Sequence, residues 1–462
     1  MLELLDNQTT LTWNQRKIVF AAIFGDMLEF FDYYLISFVL AFIVGPWKLT
    51  YGTSAVVLLS SGIGAIIGAW FWGWMADRIG RRKVFMATVL TFSIATGALA
   101  LTPTGGWFYL TAFRFVVGFG VGGLYCVDLP LVQEFVPSRM RGKIGGFVTA
   151  AIPIGTGLGA VLGAYLAPLV GWRGLFAVGL LPALLTLLIR AWVPESPRWL
   201  IRMGRHEEAR KSLAWALQMD PAKIELPASL PPPQSTRWRE LFQHPRSLFV
   251  SWFGLLGEQT CGYGMGLWAP TLLVLLLTIK PADAAFLMIW AAVAGFVGRI
   301  AWAYFSEWIG RKMSGILINF GAAAAIGLAG YYATSFIGGV SLFWLFIVVA
   351  RFFGDGGFAV LGPYSAEVWP AGLRSSGMGS AYGFASIGKI TGPLGLALII
   401  GSSNVVNPEA SIAMIGPAFW YLAAWAVMSG VVFFFAIETK GRSIEDIDRA
   451  LAKPVLVKTK AA

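Results

Sequence analysis

The 462-residue chain is 57% hydrophobic and only 13% charged, with a mean hydropathy of +0.70. A soluble protein of this length needs far more surface charge, so most of the chain must face lipid or other buried helices. The net charge of +11 does not point to nucleic acid, because the basic residues recur in short clusters between apolar runs. Cys126 and Cys261 lie in apolar runs and both histidines, His206 and His244, fall in one polar stretch, so no disulfide framework, metal site or catalytic constellation is expected. No phosphate-cradling G-x-x-x-x-G-K-[ST] loop occurs, which argues against an ATP-driven pump, and no cofactor is expected. The first seventeen residues are too polar for a cleaved signal peptide, so the first apolar segment is expected to remain as a helix.

A helix needs about 20 apolar residues to cross the hydrocarbon core. In chain order the spans are expected near 18–45, 52–76, 84–102, 107–135, 144–168 and 174–193, then 247–278, 284–306, 313–334, 340–368, 377–402 and 413–436. The fold class is therefore an all-α membrane protein of twelve helices in two six-helix halves, residues 1–193 and 247–436. A polar linker with Pro231, Pro232 and Pro233 occupies 194–246, and a tail occupies 437–462. Only Lys48, Arg173 and Lys280 fall in the odd-numbered connections, whereas Arg78, Arg81, Arg82, Lys83, Arg139, Arg141, Lys143, Arg311, Lys312 and Arg374 fall in the even ones. Even loops, linker and both termini are thus expected in the cytoplasm.

The halves repeat each other. A G-x-x-x-D-R-x-G-R-R run from Gly73 to Arg82 has a shorter counterpart in Glu307, Gly310, Arg311 and Lys312. Pro130, Glu134, Pro137 and Arg141 have the same spacing as Pro363, Glu367, Pro370 and Arg374. Two six-helix repeats with a ligand site between them is a recurrent transporter architecture.

These motifs, with Pro194 to Arg198 after span six and Glu438 to Arg442 after span twelve, resemble the major facilitator superfamily in its sugar-porter-like branch. The resemblance covers nearly the whole chain and implies a secondary transporter of small molecules, not an enzyme. It also implies a gating role for Asp77, Arg78, Arg81, Glu134, Arg141, Glu307, Arg311, Glu367 and Arg374. Glu134 and Glu367, at helix ends, are expected to pair with neighbouring arginines and helix termini, latching the cytoplasmic side. The sugar-reading positions have changed, however. Thr149 and Gly362 stand where hexose porters usually have Gln and often have Trp, and the span-seven pattern reads Glu258, Gln259, Thr260, Cys261, Gly262. Sugars are demoted, since their recognition needs dense neutral hydrogen-bond partners.

An ionised side chain at mid-helix costs about 2.5–3.5 kcal/mol, so each needs a partner or a task. Asp26, Glu29 and Asp32 lie in span one, Arg114 and Asp128 in span four, and Glu258 in span seven. Arg299 in span eight, Arg351 and Asp355 in span ten and Lys389 in span eleven complete the set. Asp32 and Arg114 resemble the proton-coupling pair of proton-linked sugar porters, with Asp26 and Glu29 as further relay candidates; the alternative is a permanent structural ion pair. Arg299 has no basic counterpart in the first repeat, where Ala69 stands. A base on span eight with another on span eleven resembles the oxalate/formate exchanger, and each base alone resembles monocarboxylate and aromatic-acid symporters. If both face the cavity, Arg299 offers a carboxylate a bidentate fork and Lys389 a point charge. The competing reading neutralises Asp355 internally, with Lys389 or with Arg351 at i,i+4.

Glu258, Gln259, Asp355, Tyr33 and Tyr364 complete the candidate binding set. Phe30, Phe31, Tyr34, Tyr125, Tyr263, Trp268 and Tyr382 are further aromatics, of a kind that more often packs than binds. The sequence thus predicts a monomeric, proton-coupled importer of a small organic anion in the bacterial cytoplasmic membrane, with small molecule, protons and lipid as its partners. An anion exchanger, an organic-cation carrier using Glu258, Asp355 or Glu29, and a sugar or polyol carrier are the same-fold alternatives. A sensor without net flux would need a larger extra domain than the linker provides.

Overall fold

Helix starts follow local capping chemistry. Thr12 and Gln15 form a reciprocal capping box that opens span one, Trp13–Ile43, and Thr50 and Thr53 do the same for span two, Tyr51–Ile79. Proline in the first turn opens spans seven, eight and twelve, Pro245–Leu277, Pro281–Ile309 and Pro408–Phe434. Span three is Arg81–Leu99, span nine Arg311–Tyr331 and span ten Leu342–Glu367. The computed structural model describes residues 5, 8–124, 126–137, 140–226, 238–369 and 373–441. Tyr125, Arg139, Pro231, Pro232, Pro233, Pro370, Arg442 and the rest of the tail lie outside the described residues, as do the side chains of Lys143 and Arg374.

Spans four, five, six and eleven are interrupted. Span four is Trp107–Leu124 followed by Asp128–Phe135, and span eleven is Arg374–Ala385 followed by Gly388–Ile400. Span five is Arg141–Ala150, then Ile152–Val161, then a π turn at Leu162–Leu166. The following stretch, Ala167–Val178, is broken at Gly171 (φ 71°), where span five ends and span six begins; Leu181–Leu184 and Leu185–Trp192 continue it. Among the described residues ten helical stretches are long and apolar enough to cross a membrane by length and composition. Span one, with its three carboxylates, and the shorter span six bring the helices to twelve.

Close helix contact depends on small residues. At Gly64 and Gly68 of span two an added methyl would strike the backbone of Phe115 and Phe119 in span four, and the reverse holds for Gly118 and Gly122 against Ser61 and Ala65. Without a hydrophobic drive between helices in lipid, such backbone approach is what holds them together. Large apolar side chains such as Trp70, Leu169, Trp308 and Tyr304 point outward instead.

The two halves meet most firmly at the end away from the linker. There the Tyr51 hydroxyl bonds Ser411, Tyr51 N–H donates to Asn404 O (3.0 Å), Gly52 N–H to Ser402 O (2.9 Å) and Val406 N–H to Leu49 O (2.9 Å). The described part of the linker is partly helical. Helices Pro197–Arg202 and His206–Leu217 form within it, and the carbonyls of Ala216 and Trp215 accept from Thr12 and Asn14 at the mouth of span one. Its apolar face, with Leu213 and Leu217 buried, explains why it docks rather than floats.

Candidate substrate and coupling site

At the linker end each half builds the same clamp. Arg81 pairs with Glu134 (2.9 Å), which also accepts from Ser196. In the second half Arg311 pairs with Glu307 and lies 3.9 Å from Glu367, which accepts from Thr439 (2.6 Å). Glu195 takes the N–H of Arg82 (3.0 Å) at the start of span three, and Glu438 takes those of Arg311 (2.8 Å) and Lys312 (3.1 Å) at the start of span nine. Carboxylates at helix N-termini satisfy orphan donors and oppose the positive dipole end. Glu195 with Ser196 and Glu438 with Thr439 are therefore the same device. It also explains Gly80 (φ 102°) and Gly310 (φ 97°), each in a conformation that suits glycine and with a carboxylate where a methyl would go.

These clamps lie within each half. Asp77 is exposed and contributes its backbone carbonyl to Trp199 (2.9 Å), while Arg78 lies over the Trp74 ring (3.9 Å). Arg141, half-buried, begins span five.

At mid-membrane, span one carries its three carboxylates on one buried flank. Asp26 and Asp32 are 0% exposed and Glu29 is 2% exposed. Asp26 lies against Asp128, which opens the second segment of span four and accepts the N–H of Leu129 (2.6 Å). Glu29 is the electrostatic neighbour of Lys389, Asp128 and Asp32. Asp32 accepts from Thr96 of span three (2.7 Å).

The expected pairing of Asp32 with Arg114 is not a direct ion pair. Arg114 donates to the backbone carbonyls of Asp32 (3.1 Å) and Tyr33 (2.9 Å) and to Ser61 Oγ (2.9 Å). Its guanidinium thus holds the span-one backbone, and the Asp32 carboxylate is left to Thr96, with Oδ1 lacking a hydrogen-bond partner among the described residues. The two charges remain close enough to interact through a dry interior.

Across the interface, Tyr33, Tyr34 and Tyr263 form an aromatic corner. Tyr33 meets Tyr263 edge-on with centroids 5.4 Å apart, and Tyr34 stacks on Tyr263 at 6.1 Å. The Lys389 ammonium lies 5.5 Å from the Tyr33 ring and 5.3 Å from the Tyr263 ring. It makes no hydrogen bond or ion pair among the described residues. A small cleft beside this corner is lined by Tyr34, Ser37, Thr156, Gly266, Met288 and Arg351.

Three candidate binding residues are placed elsewhere. Tyr364 clasps Ile437, donating to its carbonyl (3.0 Å) and accepting its N–H (2.9 Å), so it closes the end of span twelve and does not line the cleft. Asp355 pairs with Arg351 (2.9 Å), one helical turn away, and not with Lys389. Arg299 reaches into the opposite half and donates to the Thr149 carbonyl, with the Phe358 ring 5.6 Å away. Glu258 and Gln259 are buried with side-chain oxygens that lack hydrogen-bond partners among the described residues.

The i,i+4 pairing of Arg351 with Asp355 is the one offered by the competing reading of the sequence, but the place of Arg351 on the cleft was not expected. Thr96 and the Asp26–Asp128 contact were likewise not predicted, because both are made between helices.

The chain matches the family model described as "Sugar (and other) transporter" over residues 18–451. It is 29% identical over 444 residues to the niacin transporter of Acinetobacter baylyi, covering 92% of this chain and 94% of that protein. It is 26% identical to the cis,cis-muconate transport protein of the same organism, covering 85% and 89% of the two chains. The xylose transporter XylE of E. coli, in a partially occluded inward-open conformation, superposes with a TM-score of 0.70 at 21% identity, covering 94% of this chain and all of that one. With its twelve helices, its paired clamps and a family match over nearly its whole length, the chain belongs to the sugar (and other) transporter family of the major facilitator superfamily, as a multi-pass membrane transporter of small molecules.

Proposed function

We propose that the protein is a proton-coupled importer of small carboxylates with a planar, conjugated or aromatic body. The observation that carries this reading is Lys389, buried between the rings of Tyr33 and Tyr263 with no anionic partner in contact. Glu29 is the electrostatic neighbour of Lys389 but makes no ion pair with it among the described residues, and a ligand carboxylate supplies the direct contact through a charge-assisted hydrogen bond. The flanking tyrosine faces suit a flat ligand body. Niacin, a pyridine carboxylic acid, and cis,cis-muconate, a conjugated dicarboxylate, are the substrates named for two relatives, and both fit this chemistry. Asp32, Glu29 and Asp26 are the proton acceptors in this proposal, since a titratable group in a transporter interior is suited to proton relay.

Purified protein in detergent is expected to gain thermal stability with nicotinate, benzoate or muconate, and little with tetraethylammonium or xylose, because a ligand stabilises the state it binds. Proteoliposomes with an inward proton gradient should accumulate the same acids. Stabilisation and saturable uptake of amines or sugars, with no response to any carboxylate, would overturn the proposal.

The proposed setting is a monomer in the bacterial cytoplasmic membrane, with the linker and both termini inside, as the loop charges require. A cysteine placed at Lys211, exposed on the linker, should resist an impermeant thiol reagent in intact cells, while one at the exposed Asn404 should react. Labelling in the opposite pattern would invert the topology and, with it, the direction of import.

A further inference from the structure

Pro153 lies in span five, four residues after Thr149. A helix ordinarily satisfies a carbonyl with the N–H four residues on, and proline has none. The Thr149 carbonyl therefore lacks its usual donor four residues on and keeps only the N–H of Ala151 at the break in span five, and Arg299 of span eight, from the opposite half, donates to it. On the side away from the linker the two spans pack through small residues. A methyl on Gly157 would come 3.2 Å from Ala292, and one on Gly163 would come 3.1 Å from Ala285. Arg299 is about two turns, or roughly 10 Å, nearer the linker end than Ala292. Rocking of the halves about the closed end would stretch this bond while the Gly–Ala contacts persist.

Glu258 supplies Arg299 with an alternative within its own half. It is 3% exposed, its two carboxylate oxygens lack hydrogen-bond partners among the described residues, and it is wedged beside Gly357 of span ten. Arg299 is its electrostatic neighbour, and Asp26 and Tyr382 also face that guanidinium. Asp26 belongs to the other half, whereas Glu258 moves with Arg299.

We infer that Arg299 is a positioning residue that ties the two halves together on the linker side of the Gly–Ala contacts by capping the carbonyl freed by Pro153, and that wider opening of that side transfers it to Glu258. The tie explains why span eight carries a base that the first repeat lacks. It acts on the equilibrium between narrower and wider states of that side and does not require contact with the substrate.

The test measures the distance between spin labels at Phe147 and Tyr304, both exposed on the linker-side parts of spans five and eight, in protein with Cys126→Ser and Cys261→Ser. Arg299→Met is expected to shift the population toward the longer distance by roughly tenfold, the usual consequence of losing one charge-assisted hydrogen bond. Pro153→Ala leaves Arg299 in place but returns an N–H to Thr149, so it should shift the population the same way by a smaller factor. Arg299→Lys should keep much of the short-distance population, and Glu258→Gln should enrich it by removing the competing acceptor. Pro153→Ala favours the helix and guards against simple misfolding of the arginine variants. Unchanged distances in both Pro153→Ala and Arg299→Met, or a shift toward closure in either, would overturn the inference.

Discussion

Lys389→Met is expected to weaken carboxylate binding by about tenfold to hundredfold, the range set by losing one charge-assisted hydrogen bond of about 1.5–3 kcal/mol. Lys389 is 9% exposed and stands over two tyrosine rings, so methionine can fill its volume, although it leaves Glu29 without its nearby positive charge. The loss should appear in affinity, read as thermal shift or half-saturation for uptake, with the amount of folded protein unchanged. A structural account makes a different prediction. If Lys389 existed to neutralise Asp355, then adding Asp355→Asn to Lys389→Met should restore transport. The geometry argues against restoration, since Asp355 already pairs with Arg351 at 2.9 Å and its neutralisation would strand that arginine. Recovery of carboxylate uptake in the double variant would sink the anion-binding role of Lys389.

Much of the architecture was legible because it depends on patterns that survive without knowing the tertiary structure. Apolar runs of membrane length mark the spans, and the spacing of Pro130, Glu134, Pro137 and Arg141, repeated from Pro363, marks the two halves. Even so, the equivalence of Glu195 with Glu438 and of Ser196 with Thr439 emerged only from their contacts, because the flanking motifs differ in sequence. Side-chain destinations were the least legible. The sequence places Arg114 at the level of Asp32 but cannot say that its guanidinium grips the backbone there, nor that Tyr364 turns to span twelve. Helical periodicity assigns a residue to a face, while its partner is chosen by a neighbouring helix whose rotation the sequence does not specify. Arg299 is the clearest case. The sequence singles out its position as unusual, but its partner is a backbone carbonyl deprived of its usual donor by a proline in the other half, a feature with no charge or motif to announce it.

Asp32→Asn is expected to abolish proton-driven accumulation while leaving counterflow of labelled substrate measurable. Asparagine matches aspartate in shape and can still accept from Thr96, so span one should stay packed against span three. What it removes is the ability to gain and lose a proton within a fully buried site. Because Arg114 is anchored on the carbonyls of Asp32 and Tyr33 and on Ser61, protonation at Asp32 would not break a direct contact between the two side chains. It would instead cancel the negative charge beside a fixed guanidinium, changing the energy of the span-one backbone that this guanidinium holds and so the balance between the two orientations of the halves. Asparagine imitates the neutral form permanently, which permits exchange across the membrane but uncouples it from the gradient. Counterflow tests the exchange because it requires no net proton movement. Accumulation of substrate against its gradient by Asp32→Asn, with the pH dependence of the unmodified protein, would move the coupling role to Glu29 or Asp26, the other buried carboxylates on the same helix.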